Sequence, residues 1–247
     1  MASIIPNKQL FIVTSALNPQ MGVINRDDRL KQTLDGLLSL RQNCPDAIIL
    51  LADGSPEKVE REKYEKMQAL VDLVADFSGD KDITQFASTG RKSEAENVLM
   101  LKVLSVLKYE QGMMRLLQSV NRIYKLSGRT DIDEGFDVNE HNHFGKYVFK
   151  KRIPTWLSGM YQTADNGPVH IKSETFTNLL ITRLFSFCPS LIDDYFTVCR
   201  KNLEIVSQTG VDTEHAHFFN IESDKLIELE TIHCRGIVAG TGALEIY

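Results

Sequence analysis

Apolar residues in the first half of the chain fall into short runs that alternate with helically spaced stripes. Leu10-Phe11-Ile12-Val13 is an unbroken apolar run, as expected of a strand buried on both faces. Leu30, Leu34, Leu37 and Leu38 then recur at helical spacing, which predicts a helix from about Asp28 to Arg41, closed by Pro45. Ala47-Ile48-Ile49-Leu50-Leu51 predicts a second buried strand that runs into the turn-rich Ala52-Asp53-Gly54-Ser55-Pro56. From Glu57 to Val74 the pattern reads as a helix, with Met67, Leu70, Val71 and Val74 on its apolar face. Asp76-Phe77 is a weak third strand, and Gly79 to Gly90 reads as a polar loop. Ser93 precedes a long helix carried by Val98, Leu101, Leu104 and Leu107, with Gly112 as its interruption. Ile123-Tyr124-Lys125-Leu126-Ser127 is a fourth strand. Such alternation predicts an α/β fold with a mostly parallel central sheet flanked by helices.

The second half is less regular. Tyr147-Val148-Phe149 and Trp156 to Tyr161 read as strands of a meander, and Phe176 to Phe187 mixes both periods. A helix is predicted from Ser190 to Gln208, with Ser190 as its cap and Asp193-Asp194 in its first turn. Ile227 to Tyr247 reads as mostly extended. Without a linker or an internal repeat, the expectation is one composite domain over 1–247, with a ligand-binding half at 1–135 and a smaller mixed half at 136–247.

Composition narrows the function classes. Apolar residues are 43% and charged residues 25% of the chain, as in an ordinary globular protein. A net charge of -5 disfavours a dedicated non-specific nucleic-acid binder. Cys44, Cys188, Cys199 and Cys234 form no CxxC pair and read as free thiols of a reducing compartment. The first eight residues lack the pattern of a signal peptide, and no apolar run nears the roughly 18 residues of a membrane span. The expectation is a soluble, cytoplasmic protein.

Open parallel sheets bind ligands at the carboxyl ends of their strands. Three polar clusters fall there: Thr14-Ser15-Ala16, Asp53-Gly54-Ser55 and Gly128-Arg129-Thr130-Asp131-Ile132-Asp133. None carries a dinucleotide fingerprint or a P-loop. In an extended segment Asp131 and Asp133 would face one way, and two convergent carboxylates suit a hard divalent cation that also holds a diphosphate. The alternative is a polar turn.

Phe11 to Asn18, Arg29 to Leu40 and Ile48 to Ser55 together resemble the opening strand, helix and strand of glycosyltransferases with the GT-A fold. That resemblance covers roughly the first 135 residues and implies a donor site for a nucleotide-diphosphate sugar. Thr14, Ser15 and Asp53 match the positions that cradle base and ribose. Asp131-Ile132-Asp133 stands where the family has a DxD motif for Mn²⁺ or Mg²⁺, and His233 is the matching candidate for a third, C-terminal metal ligand. Lys125-Leu126-Ser127-Gly128-Arg129 is similar to a viral and phage branch that includes a rhamnosyltransferase domain of an algal virus, which would place the protein in host cytoplasm. The stretch Gly90-Arg91-Lys92-Ser93-Glu94-Ala95 resembles that branch as well and would face the donor.

The implied chemistry is coherent. A departing diphosphate needs its charge neutralised by a divalent cation, or by basic groups such as Arg91, Lys92 and Arg129. An acceptor hydroxyl needs a general base. The densest titratable cluster in the second half, Asp212-Thr213-Glu214-His215-Ala216-His217, offers Glu214; Asp165 is the second candidate. The same cluster also reads as a helix start capped by Asp212. His141, His143, His215 and His217 read as surface or hydrogen-bonded histidines, and Trp156 as a core aromatic.

The leading expectation is therefore a hexosyl- or pentosyltransferase that uses a nucleotide sugar, with a glycan as acceptor. A hydroxymethylated base in phage DNA is the alternative acceptor, and Lys146 to Arg152 would then be a phosphate-tracking strip. A nucleotidyltransferase is disfavoured, because the Asn18 to Arg26 loop holds one glycine. A non-catalytic nucleotide- or sugar-binding protein on the same scaffold is the third reading.

Overall fold

A computed structural model describes residues 8–20, 25–157, 160–164, 167–171, 175–237 and 243–247. The opening residues read for a leader, part of the Asn18 to Arg26 loop, and Asp165 lie outside the described residues.

The predicted βαβ half is present. Strands β1 (Gln9–Ser15), β2 (Ile48–Asp53), β3 (Leu73–Asp76) and β4 (Arg122–Ser127) run parallel in the order β3-β2-β1-β4. The core strands are buried on both faces, which is why they read as unbroken apolar runs. Helix α1 (Arg26–Asn43) joins the first two strands. Its Asn25 cap accepts from the Asp28 amide. Helix α2 is shorter than its stripe suggested, Arg61–Met67, because Leu73 to Asp76 leaves the helix to pair with β2. The expected loop at Gly79 to Gly90 holds a further helix, α3 (Lys81–Ala87), whose cap Asp80 accepts from the amides of Asp82 and Ile83. Helix α4 (Lys92–Tyr109) breaks at Glu110, two residues before the glycine expected to interrupt it, and α5 (Gln111–Leu117) follows.

After β4 comes the short β5 (Thr130–Ile132), then β6 (Tyr147–Lys150), β7 (Ile153–Trp156), β8 (Met160–Ala164), β9 (Gly167–Ile171), β10 (Phe176–Leu179) and β11 (Leu184–Phe187). Helix α6 (Ile192–Thr209) starts after a 3₁₀ turn over Pro189–Leu191. Ser190 therefore does not cap it; its hydroxyl donates to the Cys188 sulfur. Helix α7 (Thr213–Asn220) and strands β12 (Leu226–Leu229), β13 (Cys234–Ile237) and β14 (Leu244–Ile246) complete the chain.

The second half extends the first half's sheet. β11 inserts antiparallel between β4 and β6, and β12 pairs parallel with β6, giving the order β12-β6-β11-β4-β1-β2-β3. β5, β13 and β14 form a small separate sheet, and β7 pairs with β10. One apolar layer packs α4 and α6 against one face of the large sheet. The other packs α1 on the opposite face, where Phe11 stacks on Tyr124 with ring centroids 4.3 Å apart. Trp156, expected in the core, is 56% exposed and meets Phe176 edge-on. No helix among the described residues is long and apolar enough to cross a membrane.

Helix α1 lies unusually close to β5. A Cβ on Gly36 would stand 2.9 Å from the Thr130 carbonyl oxygen. The Ser39 hydroxyl accepts from the Ile132 amide at 3.0 Å, and Asn43 donates to the Ile132 carbonyl at 3.1 Å. Gly36→Ala should therefore push helix and strand apart and cost about 1–3 kcal/mol. Thermal unfolding should show a midpoint lower by several degrees for a chain of this size; an unchanged midpoint would refute the close contact.

Candidate active site

The carboxyl ends of β1, β2 and β4 meet at one edge of the sheet, and a cleft of about 250 Å³ opens there. Its floor is Thr14, Ser15, Gly54, Ser127 and Gly128. Gly128 donates its amide to the Thr14 carbonyl at 2.7 Å. A Cβ on Gly128 would come within 3.0 Å of that oxygen, so the close approach of the two chain segments requires glycine. Helix α4 forms one wall through Lys92, Ala95, Glu96 and Leu99. Thr182, Arg183 and Glu214 form another, and Arg29 reaches in from α1.

Charge is strongly unbalanced in the cleft. Arg29, Lys92, Lys125, Arg129 and Arg183 line it, against the carboxyls Glu96 and Glu214. Lys125 is satisfied: its ammonium, 2% exposed as a residue, donates to Glu96 at 2.5 Å and to the Thr182 carbonyl at 2.8 Å. Burial opposes the Glu96 charge, but Lys125 and Arg129 outweigh it and hold that carboxyl below its usual range. Arg183 donates to the Ile237 carbonyl at 3.3 Å and lies 3.7 Å from Glu245.

Arg29 and Arg129 differ. Arg29 is 7% exposed, and its Nε is buried without a hydrogen-bond partner. Burial, and then the neighbouring Arg129 charge, lower its pKa to about 10. The Nε of Arg129 is also buried without a partner, and burial followed by Arg183 lowers its pKa. A buried guanidinium nitrogen without a hydrogen-bond partner is unfavourable. Both arginines line the cleft, with Lys92 and Arg183 close by in its walls.

Glu214 occupies the first turn of α7. Asp212 caps that helix by accepting from the His215 amide at 2.8 Å, so the cluster is both a helix start and a lining of the cleft. The Thr182 hydroxyl donates to Glu214 at 3.0 Å. Burial, then Glu96 and Asp212, raise the pKa of the Glu214 carboxyl.

Of the residues singled out in the sequence, Thr14, Ser15, Lys92, Arg129 and Glu214 line the cleft. Arg91 does not: its Nε is bonded to Glu94 at 2.7 Å and its guanidinium lies over the Phe86 ring. Asp53 is fully buried and accepts from the Leu17 and Ser55 amides at 2.9 Å each. It shapes the loop from beneath rather than facing a ligand.

The expected metal set is not assembled. β5 pairs antiparallel with β13, which places Asp131 opposite Arg235, 3.7 Å from its Nε. Asp133 lies beyond the strand, where it accepts from the Gly135 amide and contacts His233 Nδ1 at 3.1 Å. The chain stays extended as far as Asp133, whose amide bonds to the His233 carbonyl, but each aspartate meets its own partner on β13 or just before it. None of the three lines the cleft. Among the described residues no three His, Cys, Asp or Glu side chains converge as a metal site requires, so the donors present do not fit a shared Mn²⁺ or Mg²⁺ ion.

The basic strip is also engaged elsewhere. Lys146 donates to the Asp224 carbonyl, Lys151 pairs with Glu230 at 2.6 Å, and Arg152 pairs with Glu228 at 2.5 Å. Of the histidines, His141 is buried on Ser186 and His217 on Asn202 and Thr213, while His215 is held by Asp212.

Arg29, Glu96, Lys125 and Arg183 escaped the sequence reading as site residues. Two carried a signal. Arg29 falls in phase with Thr33, Gly36, Leu37 and Leu40 on the buried face of α1. Lys125 interrupts an apolar strand, and a charge there demands a partner.

No family model matches the chain, and no curated protein matches it. Among solved structures it is similar to core-mannan synthase A from Aspergillus fumigatus in its Mn/GDP form, at 10% identity and a TM-score of 0.44, over 93% of this chain and 74% of that one.

Because the Arg29 Nε is buried without a partner, Arg29→Met should stabilise the ligand-free protein by about 1 kcal/mol. The same substitution should weaken stabilisation by inorganic pyrophosphate. Thermal unfolding with and without pyrophosphate tests both. A destabilised variant that keeps its pyrophosphate response would mean that the guanidinium has an internal partner.

Proposed function

We propose that the protein is a glycosyltransferase that binds a nucleotide-diphosphate sugar in the basic cleft and passes the sugar to a glycan hydroxyl. The observation that carries this reading is the pair of arginines, Arg29 and Arg129, that line the cleft with their Nε atoms buried and unpartnered. A diphosphate supplies the missing counter-charge, and charge-assisted bonds to arginine suit its oxygens. Lys92 and Arg183 add to the field. The floor at Thr14 and Ser15 then faces the nucleoside.

In the transfer, the bond between the anomeric carbon and the diphosphate oxygen breaks, and its electron pair leaves with the nucleoside diphosphate. The arginines stabilise that developing charge. The acceptor oxygen bonds to the anomeric carbon and gives its proton to Glu214. A carboxylate whose pKa is raised is the stronger base, which suits Glu214 to this role. A divalent cation bound with the donor would supply Lewis-acid charge, but no step here is routed through one. The acceptor is taken to be a glycan rather than DNA, because Lys146, Lys151 and Arg152 are already partnered.

Nucleoside diphosphates and their sugars, screened by thermal unfolding with and without Mn²⁺, should raise the midpoint. At about 100 times the Kd the gain is roughly 2.7 kcal/mol, several degrees here. Arg129→Met should abolish the response. If no nucleotide moves the midpoint, the donor site is wrong.

Glu214→Gln should keep nucleotide affinity and lower the transfer rate by about 10²–10⁴-fold. In the parent protein the acid limb of the rate profile should lie above the ordinary glutamate pKa of about 4.3. The carboxyl must lose its proton to act, and its raised pKa moves that loss to higher pH. A limb at or below the ordinary value would remove Glu214 from the role of base.

A further inference from the structure

A second cavity, of about 480 Å³, adjoins the cleft; Arg183 and Glu214 line both. Ile153, Leu179, Ile181 and Ile246 give it apolar walls. Its charges are unevenly satisfied. Glu245 is bonded to the Tyr247 hydroxyl and lies within reach of Arg183. Lys150, at the end of β6, forms no ion pair among the described residues, although the next two residues, Lys151 and Arg152, each have a glutamate. Its ammonium lies 5.2 Å from the centre of the Tyr247 ring, and the Arg183 guanidinium lies 5.2 Å from the same ring.

We infer that this second cavity is the acceptor site and that it takes a sugar bearing an anionic group, a carboxylate or a phosphate, which Lys150 reads. The inference rests on the transferase reading for the identity of the first cleft. A neutral sugar filling the cavity would displace water from Lys150 and leave a half-buried cation without counter-charge, which is unfavourable. An anionic group on the acceptor removes that penalty with a charge-assisted bond. The apolar walls suit the C–H face of a pyranose ring. Glu214, on the boundary of the two cavities, then faces an acceptor hydroxyl from one side and the donor cleft from the other.

The test compares three probes, methyl glucoside, methyl glucuronoside and glucose 6-phosphate, by ligand-observed NMR titration of the whole protein with and without saturating nucleoside diphosphate. The two anions should bind about tenfold more tightly than the neutral glucoside, the size of one charge-assisted bond. Lys150→Met should erase that preference and Lys150→Arg should keep it, with nucleoside diphosphate affinity unchanged in both. Equal binding of all three probes, or a preference that survives Lys150→Met, overturns the inference. If no nucleoside diphosphate binds yet the Lys150-dependent preference persists, the anion site stands and the donor reading falls. If nucleoside diphosphate binds and the preference is missing, only the acceptor inference falls.

Discussion

Two arginines with buried, unpartnered Nε atoms, Arg29 and Arg129, set the terms for everything around the cleft. Arg29 has no freedom to turn outward. It belongs to the buried face of α1, in phase with Thr33, Gly36, Leu37 and Leu40, and that face is bound to β5 through Gly36, Ser39 and Asn43. Arg129 is fixed from the other side, one residue beyond the glycine that touches the Thr14 carbonyl. The apolar layers on either face of the sheet, with Phe11 and Tyr124 stacked across adjacent strands, hold the elements that carry both arginines. A core of this extent can carry a local penalty of several kcal/mol because burial supplies far more in total. Under the proposed function, a cleft preorganised in this way pays little further cost when its ligand arrives.

Much of the parallel half was legible in the sequence, and the reason is burial on both faces. Strands of that kind appear as unbroken apolar runs, as at Leu10 to Val13 and Ile48 to Leu51. Where an element is short, the two periods blur. Leu70 to Val74 fits a helical stripe as well as the alternating strand it partly forms, and only pairing with β2 decides. The insertion of β11 between β4 and β6 is a tertiary event that no local pattern announces. It is also what delivers Thr182 and Arg183 to the cleft, since the Ser127 amide bonds to the Arg183 carbonyl at the start of that pairing. Thr14, Ser15, Lys92, Arg129 and Glu214 could be found from strand ends, a helix start and the resemblance. Arg183 could not.

The carboxylates show why spacing alone misleads. Asp53, Asp131, Asp133 and Asp212 all stand at polar turns or strand ends, where a reader looks for ligands. Each is engaged by the protein itself: Asp53 by two backbone amides, Asp131 by Arg235, Asp133 by an amide and His233, Asp212 by the α7 N-terminus and His215. A short acidic side chain is well suited to orphaned amides at turns and helix starts. Strand register, which fixes who stands opposite Asp131, is not visible in a single sequence. Glu214 is the contrasting case. Its longer side chain clears the helix start that Asp212 already caps, and it ends in the cleft with one hydroxyl partner.

That position links the two cavities electrostatically. Glu214 lies in the fields of Glu96, which raises its proton affinity, and of Arg129, which is the nearby charge that a diphosphate would neutralise. Under the proposed reaction, donor binding offsets the arginine's pull on Glu214 while leaving Glu96 in place, so the carboxylate, its pKa already raised by burial, becomes a stronger base still. Departure of the nucleoside diphosphate restores the Arg129 field and favours release of the proton that Glu214 took up. Lys125 keeps this arrangement from collapsing. By holding Glu96 ionised, it preserves a negative neighbour that adds to the effect of burial on Glu214, and it does so from the middle of a fully packed strand. A charge in a strand that otherwise reads as core is thus the element that ties the fold's centre to the chemistry at its edge.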